Sequence, residues 1–337
     1  MNPWYQNEVV DATPIISSRA RLARNLRRYP FGGINDEQSH QLIEEATDAL
    51  SHSFPVVSLA DKSNVEKRRL LERHVISPEF LKTSNPKALM MEASEQVCIM
   101  VNEEDHIRIQ AICSGDNIDS AWDTANRVDD LLEERVQYAF DKDYGYLTAC
   151  PTNTGTGLRA SFMAHLPMLE RTGQLRNLLA AVSKFGMTLR GIYGEGTEPM
   201  GHIFQISNQI TMGKSESEII SALKKITGQI IENENFLREK ACAEKRLEIE
   251  DEVCRAYGTL AYARRLSAKE AMELLSAVRL GFISGVLEAP KPKQTMYDIM
   301  MSIQSGGLQS RAGREMSEAE RDEYRATWLR SIFNNKA

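Results

Sequence analysis

Residues 146–166 read YLTACPTNTGTGLRASFMAHL, a stretch that joins a cysteine, a glycine-rich loop and an arginine. A short β-prone run leads to Cys150, and the proline that follows it ends the strand. Gly155 and Gly157 free the backbone to curl close to a ligand. We expect a helix to follow, with Arg159 in its first turn. This combination is typical of a site for an anionic, phosphate-bearing ligand.

Two other interpretations of this stretch stay open on its residues alone. The segment GTGLRA (residues 155–160) fits the dinucleotide-binding pattern G-x-G-x-x-G/A. Against that pattern, no acidic residue closes a second parallel strand at the expected distance, and the flanking chain lacks alternating βαβ units. The second interpretation is an ordinary strand, turn and helix with a buried cysteine. The stretch by itself does not decide between them.

Length and composition exclude several classes of protein. A chain of 337 residues can bury a large core, and one large domain with a smaller one is the natural expectation. The formal net charge of -6 lacks the basic excess of a general nucleic-acid binder. No apolar run has the length of a membrane span, and no secretory signal opens the chain. The five cysteines are scattered without a C-x-x-C pair, which predicts free thiols in a reducing cytoplasm and no zinc site.

Alternating and β-branched runs predict strands on both sides of the central stretch. In PIISSRARLAR (residues 14–24), Arg19 and Arg21 are two positions apart and therefore share one face of an extended segment. Spacing alone also allows a solvated charged edge there. Further strands are predicted, two within 88–106 and one each at 107–112, 187–192 and 203–210.

The segment NEEDH (residues 102–106) places three carboxylates and a histidine where two predicted strands meet. This group could be a metal site or a polar turn. Adjacent carboxylates repel each other, so holding Glu103, Glu104 and Asp105 together requires cations nearby. Arg108 on the following strand is one candidate.

Beyond about residue 235 the pattern is helical and carries no strand signal, which indicates a separate module. Before it, Ser215 and Glu218 form a capping box that opens a helix. The residues GKS at 213–215 do not form a Walker motif, because an asparagine stands where its first glycine belongs. Ser267 with Glu270, and Ser317 with Glu320, predict further helix starts. Another helix around 299–303 is expected to end at the two glycines of 306–307.

Four motifs in this order, SSRAR (17–21), NEEDHIR (102–108), CPTNTGTGLRAS (150–161) and RGIYGE (190–195), resemble the catalytic domain of the phosphagen (guanidino) kinases. The resemblance covers roughly residues 14–235. It implies an α+β fold in which helices flank a large, mainly antiparallel sheet, followed by an all-helical domain at 236–337. Within that family, RDEYRA (321–326) resembles the phosphoarginine-pocket motif RDxxRA of the bacterial protein-arginine kinases.

The resemblance implies roles for the residues at matching positions. The acceptor guanidinium would be held by Glu104 and Glu195, with Glu104 as the base, and Cys150 as a thiolate would polarise it. The phosphates of ATP would be clamped by arginines, with Mg²⁺ bound through ATP and not by a metal site of the chain. The implied ATP-binding set is Ser17, Ser18, Arg19, Ala20, Arg21, His74, Arg108, Arg159, Ala160, Ser161, Phe162, Met163, Arg190, Gly191, Ile192, Tyr193, Gly194 and Glu195. The implied allosteric phosphoarginine site is Arg321, Asp322 and Arg325, which by spacing alone would be a charged helix face.

The activity implied by the resemblance is ATP-dependent phosphorylation of arginine side chains in proteins. The modification would mark proteins for Clp-type proteolysis in bacterial stress response and protein quality control. The implied setting is cytoplasmic, with an adaptor protein, the Clp protease machinery and a homodimer or higher homo-oligomer as partners, and with neither nucleic acid nor membrane. Two alternatives stay open: a kinase for free arginine or another small guanidine, and an inactive scaffold that binds phosphoarginine.

Two departures from the family pattern bear on the substrate. Phosphagen kinases for small guanidines carry a helical domain before the first arginine motif, whereas SSRAR begins here at Ser17. We therefore expect an open acceptor side that admits an arginine still attached to a protein. The second departure is Tyr193, where small-substrate relatives usually have the second arginine of RGxRGE, so one contact to ATP is put in doubt.

Overall fold

The computed structural model describes residues 2–50, 53–191 and 200–334, and a large antiparallel sheet lies at its centre. Its strands are β1 (Ile15–Arg24), β2 (Val56–Val57), β3 (Ala88–Met91), β4 (Val97–Val101), β5 (Ile107–Ser114), β6 (Phe140–Asp141), β7 (Gly145–Tyr146), β8 (Leu158–His165), β9 (Met187–Gly191) and β10 (Ile203–Asn208). Eight of them form the sheet in the order β2-β3-β4-β5-β1-β8-β10-β9, and β6 pairs with β7 as a separate hairpin. Each paired set of strands is antiparallel, which confirms the predicted fold class.

Thirteen α-helices among the described residues flank this sheet or follow it. They are α1 (Val9–Ala12), α2 (Asp36–Leu50), α3 (Asn64–Glu72), α4 (Pro78–Lys82), α5 (Ile118–Glu133), α6 (Pro167–Arg171), α7 (Leu175–Ser183), α8 (Glu216–Glu244), α9 (Arg246–Tyr262), α10 (Ala268–Ser284), α11 (Met296–Ser302), α12 (Ser305–Ala312) and α13 (Glu318–Phe333). In the parts of the chain that the structure describes, no helix is both long and apolar enough to cross a bilayer.

The two faces of the sheet differ sharply in polarity. Side chains alternate along each strand, so residues paired directly across neighbouring strands share a face. Leu22, Ile109 and Phe162 belong to the face that packs against α2, α5, α7 and α8 in one continuous core. The opposite face of the central strands carries arginine, glutamine and serine, beside Ile112 and Met163, which pack in a separate core. The sheet therefore presents a polar surface on a rigid, well-packed support.

Residues 158–165 form strand β8, and the predicted helix after the glycine loop is wrong. Leu158, Ala160 and Phe162 are buried in the core, and the residues between them face the other way. This two-residue period is that of a half-buried strand, and β8 pairs on both sides, with β1 and β10. The loop therefore delivers Arg159 to the middle of a sheet and not to a helix N-terminus.

The second core joins the C-terminal helices to the N-terminal segment. Trp4 and Val10 pack with residues of α9, α10 and α11, and Ile112 and Met163 contribute from the sheet. The predicted capping boxes at Ser215 and Ser317 are both present. Ser267 likewise caps α10 by accepting the amide of Glu270.

The two glycines of residues 306–307 do not end a helix, as the sequence predicted, but lie in the first turn of α12. Their amides donate to the two carboxylate oxygens of Glu72, at 2.8 and 3.0 Å. A Cβ atom on Gly306 would lie 2.7 Å from the backbone nitrogen of Arg69. Glycine is therefore required here because helix α3 approaches the start of α12 at backbone distance.

Candidate active site

Antiparallel register brings the predicted arginines to one face of the sheet. Arg21 on β1 lies opposite Arg159 on β8. Arg108 on β5 is paired with Ala23, two positions along β1 from Arg21, and therefore shares their face. Arg190 on β9 is paired with Gln205, which connects it to the same face through β10. Arg19 lies opposite Ser161 and donates to its hydroxyl at 3.3 Å. We call this surface, formed by Arg19, Arg21, Arg108, Arg159 and Arg190, the arginine face.

Burial and the crowding of like charges lower the pKa of two arginines on the arginine face. Burial, followed by the neighbouring Arg108, Arg190 and Arg159, lowers the pKa of Arg19 to about 9. Burial and the charges of Arg108 and Arg19 also lower the pKa of Arg21 well below its ordinary value. The amide nitrogen of Gln205 is buried, and it has no hydrogen-bond partner among the described residues. Half-buried cations and an unpaired donor on one surface fit a polyanionic ligand, which would relieve the repulsion and satisfy the donor.

His74 lies at the edge of the arginine face, two residues beyond helix α3. Its backbone has a positive φ of 59°, a conformation that histidine adopts more readily than most residues. Its carbonyl oxygen accepts a hydrogen bond of 2.7 Å from Gln110, which holds the turn against β5. Burial and the charge of Arg19 lower the pKa of His74 to about 4, so its ring is neutral at physiological pH. His74 lines a small cavity together with Ser17 and Gln205, and its neutral ring adds no further cation to the arginine face.

The two glutamates of the acidic loop have different environments. Glu103 forms an ion pair with Arg108 and accepts from Ser77. Burial opposes its ionisation, but Arg108 and these hydrogen bonds keep the pKa of Glu103 below its ordinary value. Glu104 is exposed on the loop surface. Partial burial, with the carboxylates of Asp105 and Glu103, raises the pKa of Glu104. Glu103 therefore orders the arginine face, whereas Glu104 has the raised pKa of a proton acceptor.

Asp105 joins the acidic loop to the cysteine loop. Its buried carboxylate accepts from the amide of Ala149 at 2.6 Å and from the side chain of Asn25 at 2.8 Å. Ala149 precedes Cys150, and Asp105 follows Glu104. One hydrogen bond therefore holds the predicted base and the predicted thiol on adjacent backbone segments. Sequence analysis gave Asp105 no role of its own, because a third adjacent acid carries no local signal of a partner 44 residues away.

The acidic loop forms a polar turn in which His106 bonds to the backbone. The Nδ1 atom of His106 accepts from the amide of Leu26 at 3.0 Å, so Nε2 carries the proton and donates to the carbonyl of Pro30 at 3.0 Å. Both ring nitrogens are thus used by the backbone. Within residues 2–50, 53–191 and 200–334, no group of three His, Cys, Asp or Glu side chains could hold a metal ion.

Cys150 lies in a loop held from both sides by threonines. Its Sγ is 3.0 Å from the hydroxyl of Thr152. The hydroxyl of Thr211 donates to the carbonyl oxygens of Thr152 and Thr154, at 3.0 and 2.6 Å. Gly155 is required here, because its φ is 114° and a Cβ atom would lie 2.3 Å from the carbonyl oxygen of Thr211. The structure pairs none of the five cysteines, and Cys150 is the one placed beside the acidic loop.

Arg24 is a further residue to which the sequence analysis assigned no role. It forms an ion pair with Asp129 at 2.7 Å, and both side chains are almost fully buried. Its guanidinium also donates to the carbonyl oxygen of Thr156 at 3.0 Å and lies 3.6 Å from the ring centre of Tyr146. Arg24 therefore fixes the two ends of the cysteine loop to helix α5.

Several predicted site residues lie away from the arginine face or outside the described residues. Ser18 bonds to the turn before α5, and three neighbours are in the helix-covered core, namely Ala20, Ala160 and Phe162. Their side chains support the strands that carry the arginines. Met163 lies on the polar side and lines the cavity next to His74, and Gly191 ends β9. Ile192, Tyr193, Gly194 and Glu195 lie outside the described residues.

The RDEYRA motif lies in helix α13, where part of it is bound internally. The buried guanidinium of Arg325 donates to the carbonyl oxygens of Ile303 and Leu266, at 3.0 and 2.7 Å, and to Asp322 at 2.7 Å. Arg321 donates to the carbonyl oxygen of Met316 and lines an open groove between α13 and α3. Arg325 thus orders the motif, and Arg321 is the arginine at the groove.

Comparisons with known proteins agree with this geometry. The family model for the ATP:guanido phosphotransferase C-terminal catalytic domain matches residues 35–237, and that for the protein-arginine kinase McsB C-terminal domain matches residues 246–337. A protein-arginine kinase of Symbiobacterium thermophilum is 45% identical over 338 residues, covering 97% of this chain and 95% of that protein. A protein-arginine kinase of Brevibacillus brevis is 42% identical over 335 residues, covering 97% of this chain and 94% of the relative.

Solved structures show the same fold at low sequence identity. A lombricine kinase superposes with a TM-score of 0.61 at 23% identity, over 71% of this chain and 70% of that chain. The duplicated taurocyamine kinase of Schistosoma mansoni, with bound transition state analog components, superposes with a TM-score of 0.62 at 20% identity. That match covers 76% of this chain and 40% of the duplicated protein.

Proposed function

This chain belongs to the ATP:guanido phosphotransferase family, and from that premise we propose that it phosphorylates arginine side chains of proteins with ATP. The relatives that match it over nearly their whole length are protein-arginine kinases. The observation that carries the proposal is a convergence in space. Five arginines from four strands share one face, and Asp105 holds the acidic loop next to the cysteine loop at its edge.

The arginine face would bind the phosphates of ATP. Guanidinium groups donate two parallel hydrogen bonds to phosphate oxygens and stabilise the charge that develops on a transferring phosphoryl group. Mg²⁺, when bound with ATP, would supply further positive charge at the same phosphates. The rigid sheet fixes the arginines relative to one another, so the transferring group is positioned before the acceptor arrives.

The acidic loop would prepare the acceptor. A guanidinium is protonated, with a pKa above ~12, and has no free lone pair for attack. As the N–P bond forms and the bond from the γ-phosphorus to the ADP oxygen breaks, one guanidinium proton passes to Glu104. Cys150 as a thiolate would polarise the guanidinium from the side of its loop. Glu195, which lies outside the described residues, is proposed to orient the acceptor as the second carboxylate.

The test is transfer from labelled ATP to an unfolded protein and, separately, to free arginine. We expect label on the protein that is lost in acid and is recovered as phosphoarginine after digestion. Glu104→Gln, which retains size and removes the base, should abolish transfer while leaving the melting temperature unchanged. Acid-labile label on free arginine alone would overturn the proposal in favour of a small-guanidine kinase. Near-normal turnover of Glu104→Gln would overturn the role of Glu104.

Regulation is proposed to use the helical half of the chain. The groove beside Arg321, with Asp322 and Arg325 behind it, would bind a phosphoarginine and raise kinase activity. We assign residues 14–235 to a catalytic domain and residues 236–337 to a helical domain. Exposed Leu247 and Tyr262 on the helical half offer a surface for a homodimer or higher homo-oligomer. The proposed setting is cytoplasmic, with an adaptor and Clp-type proteolysis of the marked proteins.

A further inference from the structure

A groove with exposed aromatic side chains adjoins the cysteine loop. The hairpin of β6 and β7 forms one wall and the segment that follows β10 forms the other. The groove has a volume of about 440 Å³, within the ~300–1,000 Å³ typical of binding pockets. Phe140 and Tyr144 on the hairpin are 60% and 57% exposed, and Met212 on the opposite wall is 45% exposed.

The hairpin has an anchor other than these exposed side chains. Tyr146 anchors it, because its ring lies under Arg24 and its backbone forms two hydrogen bonds with Gly155. Phe140 rests edge-on against the outer side of Tyr146, with ring centres 5.2 Å apart. Burial of large apolar side chains stabilises proteins, so a cluster left at the surface next to a reactive loop indicates a partner.

The charge of the groove favours a basic partner. Its lining includes the carboxylates of Asp143, Glu216 and Glu218, against the single ammonium group of Lys214. Glu218 is engaged in the capping box at the start of α8, which leaves Asp143 and Glu216 for a ligand. Aromatic rings next to carboxylates suit arginine and lysine side chains, which can stack on the rings and pair with the acids.

The groove borders the loop that carries Cys150. Thr211 lines it, and the hydroxyl of Thr211 holds the carbonyl oxygen of Thr152, whose own hydroxyl is 3.0 Å from the Cys150 sulfur. Gly155, in the same loop as Cys150, forms part of the groove floor. A polypeptide that presents an arginine at Cys150 can therefore lay its neighbouring residues along the groove.

We propose that this groove binds the substrate segment flanking the target arginine, and that the segment is an unfolded stretch with apolar and basic side chains. The inference rests on the proposed function and names its substrate class. Folded proteins bury their apolar side chains, so the groove would select the exposed stretches of unfolded ones. Phe140, Tyr144 and Met212 would bind the apolar side chains, and Asp143 and Glu216 the basic ones.

The experiment compares the wild-type protein with a double variant that carries both Phe140→Ser and Tyr144→Ser. The substrates are a reduced, alkylated arginine-containing protein and a short peptide with one arginine flanked by glycines. Phe236→Ser is the matched control, because Phe236 is 62% exposed and lies 20 residues after Glu216 on α8, about 30 Å away. The affinity for ATP and the melting temperature are measured for every variant.

For the double variant we expect kcat/KM on the unfolded protein to fall about tenfold. The fall should come mainly from a higher KM, because the variant loses substrate binding. Transfer to the glycine-flanked peptide, ATP affinity and melting temperature should stay unchanged, and Phe236→Ser should match wild type. Equal kcat/KM of wild type and double variant on the unfolded protein would overturn the inference alone. A parallel loss of ATP affinity or thermal stability would overturn it as well, since the hairpin would then be structural. Wild-type protein that labels no protein arginine would overturn the proposed function and this inference together.

Discussion

The buried carboxylate of Asp105 holds the amide of Ala149 and the side chain of Asn25 at 2.6 and 2.8 Å. Asp105→Ala takes the acceptor from the amide of Ala149 and releases the cysteine loop from the acidic loop, while Asn25 keeps its bond to the carbonyl oxygen of Leu147. We expect kcat for arginine transfer to fall about 100-fold, because small displacements of positioned groups cost that much. The affinity for ATP should persist, since the arginines are carried by the paired strands of the sheet.

Asp105→Asn supplies the control, because an amide oxygen can still accept from Ala149. It should recover most of the lost kcat, which steady-state kinetics on an unfolded protein substrate will show. If Asp105→Ala and Asp105→Asn are equally slow, or if ATP affinity falls in step with kcat, Asp105 does not act by positioning this loop.

Glu104 gives the second prediction at this scale, a pH dependence. Burial and the carboxylates of Asp105 and Glu103 raise the pKa of Glu104, and a base must be ionised to accept a proton. Catalysis should therefore decline as the pH falls through that raised pKa, above the ~4.3 of free glutamate. Asp105→Asn removes one of the neighbouring negative charges and should move the acidic limb of the kcat/KM profile to lower pH. A limb that stays in place in Asp105→Asn would show that another group controls it.

Single residues differ in how far their roles could be predicted from sequence. The alternation of Arg19 and Arg21 was enough to place both on one face, because the two-residue period of a strand is local. The roles of Asp105 and Arg24 depend on partners 44 and 105 positions away, and no local pattern encodes such contacts. The prediction for Glu195 lies outside the described residues and stays a prediction.

At the scale of elements, helix α3 connects the site to the helical half. It ends two residues before His74, and its Glu72 carboxylate accepts the first amides of α12. Helix α12 packs in turn against α13, which carries Arg321. Glu72→Ala should destabilise the protein by about 1 kcal/mol, as the loss of a helix cap does. It should also weaken the activation by phosphoarginine, because the two halves lose a shared contact.

Glu66→Ala is the matched control for this prediction. Glu66 completes the capping box at the other end of α3 by accepting from Ser63. Both variants should lower the melting temperature by a similar amount, but Glu66→Ala should retain the wild-type activation curve. Identical activation curves for Glu72→Ala and wild type would exclude α3 as the connection.

The type of a secondary-structure element was predictable wherever its hydrophobic pattern was long. The prediction was wrong where two local signals competed. The glycine loop and Arg159 suggested a phosphate-binding helix start, yet the alternation of Leu158, Ala160 and Phe162 with polar residues specified β8. Gly306 and Gly307 suggested a helix end, yet close approach of α3 requires glycine at that place. In both cases packing against a distant segment decided what the local signal left ambiguous.

At the scale of the whole molecule, the N-terminal segment belongs to both halves. Trp4, Tyr5 and Val10 share a core with the C-terminal helices and with Ile112 of the sheet. The helical character of the C-terminal half was predictable from its periodicity, but this shared core was not, because it joins residues about 290 positions apart, such as those of the bond from Thr295 to Tyr5. We therefore expect heat to unfold the protein in one cooperative transition.

Arg279 on α10 is the side chain that most directly tests this cooperativity. Fully buried, it donates to the carbonyl oxygens of Val10 and Thr13, at 2.7 and 2.8 Å, and pairs with Asp11. Arg279→Met retains the bulk and removes the donors, leaving buried carbonyl oxygens without partners. The free energy of unfolding should fall by about 3 kcal/mol. Differential scanning calorimetry should show one transition, shifted down by several degrees as a unit, because the N-terminal segment lies in a core that the helical half shares with the sheet. Lys293→Met, which removes an exposed charge in the adjoining loop, should leave the transition unchanged. Two separate transitions in the wild-type protein, or a variant in which only one part melts earlier, would show that the halves fold independently.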